Sequence, residues 1–423
     1  MPLPGHSINR PVHSEEIRAR RARSEVGTLA RKTRSLVHSR IRVTVVGGGV
    51  IGCAVAYELG RRGLEVRVLE RRGVGLGATQ ASAGMLAPFI EAEHAGPLRR
   101  LGSRSLELYD QFVADVVGAS GDSVPYDRCG TIEVATDSVT LARLERSASE
   151  LTMAGVGCRL VGGSEAVDDE PHLSRHVAGA LLVPSHGFVG AAPLTAALRR
   201  AAARHGVSFQ SPCTVRRLAP TPQGIEVQTD SGGQLSDVVV LAAGSWNDKV
   251  GAEDGATPWV KPVRGQLVRL QWPAGPRLTK VVWSSGCYVV PWPDGTTLVG
   301  ATVEDVGFDE RATVAGVTGL LDAAREVLPA ITRAQFETVR VGLRPGTPDD
   351  LPIVGWSHAV PKLLYATGHY RNGVLLAPLT ARLVADLVLD ATPDPLLDAL
   401  APGRFEASAT ALTGASVTAG SDT

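Results

Sequence analysis

The chain has 423 residues, 44% of them apolar and 20% charged, which exceeds one small core and leads to an expectation of two lobes. Its 43 basic and 43 acidic side chains balance overall, but residues 1–40 hold nine Lys/Arg against three Glu, about +6, leaving about −6 for the rest. A mildly acidic body excludes nucleic acid as a general partner. No stretch reaches the roughly 18 uninterrupted apolar residues of a membrane span, and no apolar signal core lies near the N-terminus, so the expected compartment is the cytoplasm. Cys53, Cys129, Cys158, Cys213 and Cys287 are odd in number and lack C-x-x-C spacing, which reads as reduced thiols.

Residues 1–40, with "RARRAR" at 18–23, read as a basic flexible arm; a transit peptide, a partner-binding arm and an over-early start codon all stay open. "IRVTVV" (41–46) is a β-branched run suited to a buried parallel strand. The next stretch, from Val50 to Arg62, has helical length, Gly63 ends it, and "EVRVLE" (65–70) is a second strand. "DVVVLAAG" (237–244) and "KLLYATG" (362–368) are further apolar strands, so the pattern is βαβ with a parallel sheet. Between them, "GQLVRLQW" (265–272), "GCYVVPW" (286–292) and "TTLVGATV" (296–303) alternate as antiparallel strands do. The small, polar end of the chain reads as a disordered tail.

"GGGVIG" supplies Gly47-x-Gly49-x-x-Gly52 directly after a strand and at the head of a helix. The first glycine makes the turn, the second admits a pyrophosphate to the backbone, and the third lets helix and strand pack closely. The helix start, at Val50 and Ile51, offers free N–H groups to phosphate. Glu70 ends the second strand, where a carboxylate can accept from ribose hydroxyls. This fingerprint does not separate NAD from FAD. The segment after Glu70 does: "RRGVGLGATQASAGMLAP" (71–88) is rich in small residues that let backbone lie along a long cofactor.

That segment resembles the flavin-binding segment of the D-amino-acid oxidase superfamily, and "SAGMLAP" (82–88) looks most like that of the glycine oxidases of thiamine biosynthesis. "PVRGQLV" (262–268), "GLRPGTPDDLPIVG" (342–355) and "GHYRNGVLLAPLTARLVADLV" (368–388) extend the likeness, which spans about residues 41–395. It implies FAD, an α/β fold (α+β overall) with a Rossmann-like FAD-binding domain, and a discontinuous antiparallel-sheet substrate domain. The expected boundaries are 41–95, 180–258 and 336–395 for the FAD-binding domain, 96–179 and 259–335 for the substrate domain, and 396–423 for the tail. Cofactor contacts are expected from Gly47, Gly49, Val50, Ile51, Gly52, Glu70 and Arg71. Along the next stretch they are expected from Ala78, Thr79, Ala83, Gly84 and Met85, then from Val215 and Gly244.

The last segment repeats a physical theme. Leu375, Leu376, Leu379, Leu383, Val384, Leu387 and Val388 recur at helical spacing, with Pro378 expected in the first turn. The loop before them then presents a helix N-terminus to the electron-rich edge of a reduced flavin. The resemblance assigns His369, Tyr370, Arg371, Asn372, Gly373, Val374 and Leu375 to that edge, with His369 structural. It also puts Arg371 in the substrate pocket, makes Tyr288 a hydroxyl donor to the substrate carboxylate, and makes Arg344 the carboxylate clamp, since a guanidinium fork matches a carboxylate bidentately.

The implied reaction is oxidation of glycine by hydride transfer to flavin N5, with O2 as acceptor and peroxide, imine or glyoxylate, and ammonia as products. The implied partners are a small amino acid, O2 and the thiazole-forming machinery, with homo-oligomerisation a family expectation. Gly286 and Val303 stand where larger residues are common, which suggests an enlarged pocket also admitting sarcosine or D-alanine. A D-amino-acid dehydrogenase, a sarcosine oxidase, a non-catalytic flavin-binding module and a plain NAD dehydrogenase are the other readings. His172 and His176 lack matching metal partners, and no G-x-S-x-G follows a strand.

Overall fold

A computed structural model describes residues 41–92, 95–252 and 260–405. The basic arm and the end of the tail lie outside them. No helix among the described residues is long and apolar enough to cross a membrane, and all five cysteines are free.

The run after residue 40 forms β1 (Arg42–Val46), α1 (Val50–Arg61) and β2 (Glu65–Leu69). β1 lies in a six-stranded sheet ordered Ile353–Trp356, β5 (Leu363–Thr367), Val238–Leu241, β1, β2, Ser208–Gln210. Only the Ile353–Trp356 edge is antiparallel. β-branched side chains suit such a sheet because both faces are covered. Val43 and Val45 pack against α1, α2 (Pro97–Ser120), Ala191–Arg204 and α3 (Gly373–Val388), while Val46 joins the opposite core with Leu218 and Val227 of a small meander.

The alternating strands build an eight-stranded, mostly antiparallel second sheet, with β4 (Gln335–Gly346) at one edge and β3 (Lys261–Gln271) paired beside it. One face packs on the helix Val314–Val327. The other, with Leu267, Tyr288, Val290 and Leu298, meets Ala83 and Phe188 from the first lobe. The expected boundaries need correction here. Gly179–Val183 and all of β4 belong to the second sheet, although 180–183 and 336–346 were assigned to the cofactor domain. β4 is one long strand that leads into the cofactor lobe, so no linker marks the change. The tail assignment also starts too early: Pro395–Leu400 and Pro402–Phe405 form short 3-10 helices, Leu400 is buried, and Arg404 pairs with Asp349 at 2.8 Å.

α3 starts at Gly373, so Pro378 sits inside the helix rather than in its first turn. Proline has no N–H to give the Val374 carbonyl. The buried Tyr109 hydroxyl of α2 donates to that carbonyl instead, at 2.5 Å. Ser105 performs the same repair one residue on, donating to Leu375 O at 2.7 Å and accepting from Leu379 N at 3.4 Å. Helix α2 thus completes the hydrogen bonding that the proline interrupts. Tyr109→Phe leaves the Val374 carbonyl unpaired in the core and should destabilise the fold by about 1–3 kcal/mol. Thermal unfolding checks this; an unchanged midpoint would count against the repair.

Candidate active site

Between the two sheets runs a cavity of about 520 Å³, within the roughly 300–1,000 Å³ of small-molecule sites. Two helix N-termini open onto it. At α1 the N-cap Gly49 has no side-chain cap, no acidic residue occupies the first turn, and Gly47, Gly49, Val50 and Ile51 line the wall. The helix dipole there suits phosphate. Gly47 holds φ +111°, and an added Cβ would lie 2.4 Å from Ala242 O. Gly52 does not line the cavity; its added Cβ would fall 1.9 Å from Gly47 O, so it acts by allowing α1 to approach the strand.

Glu70 is held by backbone donors on both sides. It accepts from Gly48 N and Arg72 N, both at 2.7 Å, and so pins the glycine turn while still lining the cavity. Beside it are Arg71, Val215 and Gly244. Trp246 is a wall residue that sequence reasoning missed; Arg71 and Arg72 lie over its ring at 5.0 and 4.7 Å. Further along, Ala78, Thr79, Ala83, Gly84 and Met85 continue the lining. Thr79 Oγ1 accepts from Val50 N at 3.1 Å, tying this segment to α1.

The far end carries the substrate-site candidates. His369, Tyr370, Arg371, Gly373 and Val374 line it; Asn372 and Leu375 do not. Asn372 is the N-cap of α3, buried, and Leu375 turns into the core. Helical geometry explains both, since consecutive residues of a first turn cannot all face one side. Tyr370 N donates to Pro345 O at 3.0 Å, which joins this loop to the end of β4 next to Arg344.

Arg344 projects from β4 across Gly265 of β3, whose added Cβ would lie 2.3 Å from the guanidinium carbon. Arg344 Nη1 donates to Thr302 O at 2.9 Å and Arg264 O at 3.4 Å. Carbonyls thus orient it without neutralising it. Tyr288 stands beside it, given room by Gly300, whose Cβ would come 2.6 Å from the phenol oxygen. Burial pushes the Tyr288 phenol above its ordinary range, against the pull of Arg344 and Arg371, so it remains a protonated donor at neutral pH. Arg371 pairs with Glu91 at 2.9 Å and lies 5.8 Å from the Trp283 ring. Glu91 lines the cavity and had no local sequence signal. Gly286 and Val303, expected to enlarge the pocket, lie outside the lining; Gly286 faces Ala323, and Val303 is exposed.

A helix N-terminus suited to phosphate at one end and an uncompensated guanidinium at the other fit the arrangement of a flavin-dependent oxidoreductase. A family model described as DAO, FAD dependent oxidoreductase, matches residues 42–387, and the chain belongs to this family. Its cofactor is FAD. The chain is similar to the glycine oxidase of Geobacillus kaustophilus, 35% identical over 350 residues that cover 82% of this chain and 93% of that protein. It is also similar to the bifunctional protein ThiO/ThiG of Synechocystis, 36% identical over 376 residues, covering 86% of this chain and 54% of the longer relative. The crystal structure of the Geobacillus glycine oxidase superposes with a TM-score of 0.83 over 86% of this chain and 99% of that one. The expected fold is therefore shown, and the chain is a glycine oxidase-like FAD oxidoreductase.

His369 fills the structural role expected of it in one respect that can be tested. It is buried, its Nε2 bonds Thr380 Oγ1 at 2.9 Å, and burial lowers its pKa from 6.5 to about 3. Between those values the unfolded chain binds the extra proton, so this histidine's contribution to stability is lost as pH falls from about 6.5 towards 3. His369→Gln retains a hydrogen-bonding side chain without the titration. Its thermal midpoint should fall less steeply than the parent's between about pH 6.5 and 4.5; parallel curves would contradict the assignment.

Proposed function

We propose that this protein oxidises glycine, giving the imine that hydrolyses to glyoxylate and ammonia, with O2 reduced to hydrogen peroxide. The observation that carries this reading is Arg344: a cavity-lining guanidinium oriented by backbone carbonyls and, among the described residues, paired with no carboxylate. Such a group has its charge available for a substrate carboxylate, which it can hold bidentately. Tyr288 then donates to the same carboxylate. With the carboxylate held at two points, the substrate Cα is fixed in direction, and orientation supplies much of the rate.

FAD, when bound, supplies the chemistry: it accepts two electrons and a hydrogen from the substrate carbon and passes the electrons to O2. Gly47, Gly49, Val50 and Ile51 would hold its pyrophosphate, and Glu70, Arg71, Val215 and Gly244 its nucleoside end. Ala78, Thr79, Ala83, Gly84 and Met85 would run along it, with Gly373 and Val374 giving the α3 N-terminus to the charged edge of its ring. Gly52, Asn372 and Leu375 support this cradle from behind. Burial makes His369 a poor base at neutral pH, so the substrate amine would lose its proton to solvent and not to this residue. The resemblance to glycine oxidases of thiamine biosynthesis, and the fused architecture of the ThiO/ThiG relative, support a product that feeds thiazole formation.

Arg344→Ala should raise KM for glycine by about 10²- to 10³-fold, in line with the roughly 2–5 kcal/mol lost when a buried charge pair is truncated. The flavin spectrum should be unchanged. Anaerobic bleaching by glycine, sarcosine and D-alanine, followed by recolouring in air with peroxide release, ranks the substrates. A yellow protein that glycine does not bleach would move the function to another amine, and unchanged turnover in the variant would remove Arg344 from the site.

A further inference from the structure

The substrate end of the cavity holds two guanidinium groups in different electrical states. Among the described residues, Arg344 has two backbone carbonyls and the Tyr288 phenol as neighbours and no carboxylate. Arg371 is neutralised: its Nε lies 2.9 Å from Glu91 Oε2, and its Nη2 donates to Glu91 Oε1 at 3.3 Å. The Glu91 side chain is 12% exposed and that of Arg371 29%, so the pair is shielded from most of the screening that weakens surface ion pairs. Trp283 adds an apolar wall, with its ring 5.8 Å from Arg371 and 5.3 Å from the Tyr288 ring.

Glu91 is also held in place. It ends the short helix Pro88–Glu91, whose Phe89 N–H donates to His186 Nε2 at 3.4 Å and whose Phe89 ring stacks on that imidazole at 5.3 Å. His186 is fully buried and bonded to Thr131 Oγ1 at 2.8 Å. The carboxylate therefore sits on an anchored support, beside the two residues that the proposed function assigns to the substrate carboxylate.

We propose that Glu91 is a specificity-determining residue: by occupying Arg371 it leaves the site one available cation, and so restricts it to amino acids with a single anionic group. This rests on the reading of Arg344 as the carboxylate clamp. A substrate bearing a second carboxylate could reach Arg371 only by displacing Glu91, which would leave a partly buried carboxylate unpaired. Its second charge would otherwise face Glu91 directly. Selectivity of this kind comes from a penalty on the wrong ligand rather than a gain for the right one.

The test uses holoprotein and ligands that bind without turnover. Acetate, malonate and succinate are titrated against the flavin absorbance of the parent, Glu91→Gln and Glu91→Asp. The parent should bind neither dicarboxylate more tightly than acetate. In Glu91→Gln the better dicarboxylate should gain at least about tenfold in affinity relative to acetate, about 1.4 kcal/mol, whereas Glu91→Asp should stay near the parent. An unchanged ratio in Glu91→Gln would overturn the proposal, as would a parent that already prefers a dicarboxylate tenfold, a result independent of how the variants fold. If acetate perturbs the parent while the ratios fail, only the role of Glu91 falls; if acetate binds nowhere, the carboxylate site falls with it.

Discussion

The approach on which the rest of the molecule depends is between Gly52 and Gly47, where any Cβ would lie 1.9 Å from a carbonyl oxygen. Without that contact α1 could not sit against β1 with its N-terminus aimed into the cavity. The position of α1 in turn sets where Thr79 accepts from Val50 N, and hence where the small-residue segment carrying Met85 enters the site. Gly84 extends the constraint: at φ +72° its Cβ would collide with Val189 O at 1.7 Å. Small residues here fix distances between backbones, and the cofactor channel is what remains between them.

The second sheet repeats the device with side chains in place of a helix. Gly265 and Gly300 remove the Cβ atoms that would fill the space of Arg344 and Tyr288. A buried polar cluster stiffens the same region. Glu304 pairs with Arg264 and accepts from Gln266 Nε2 at 2.7 Å, while backbone bonds join Arg264 and Glu304 in both directions. The carbonyls of Thr302 and Arg264 that orient Arg344 belong to these two braced segments. Both guanidinium groups stay charged, but one held by carbonyls leaves its charge uncompensated, whereas one held by a carboxylate has it balanced. The contrast between Arg344 and Arg371 follows from that difference alone.

What could be read from the sequence was what depends on near neighbours in the chain. The glycine fingerprint, α1, β2 and the strand–loop–helix unit around residue 368 each carry their reason within a few residues. Arg344 and Tyr288 were legible through resemblance, because their segments have recognisable flanks. Glu91 was not, since its partner lies 280 positions away and nothing in "PFIEAEH" marks it. Pro378 looked like a first-turn proline because the polar loop before it hid where the helix begins; the tolerance for it comes from Tyr109 and Ser105 on another helix. Assigning Asn372 and Leu375 to the flavin treated a helical turn as though every residue faced one way. Gly286 and Val303 are close in sequence to pocket residues, but Gly286 lies in the loop before the Tyr288 strand, against Ala323, and Val303 lies in the exposed loop after the next strand.

Two sources of positive potential therefore serve the two halves of one cavity. At the cofactor end, backbone N–H groups of α1 and α3 offer partial charges that neither titrate nor move, which would suit a ligand held through every turnover. At the substrate end, full charges on flexible side chains can be switched by their partners, which suits a ligand that must be chosen and released. On the proposed reading, the fingerprint lies in glycines while selectivity rests on a few arginines and the groups that hold them. A change at Glu91 would then alter the charge available at one end without disturbing the cradle at the other.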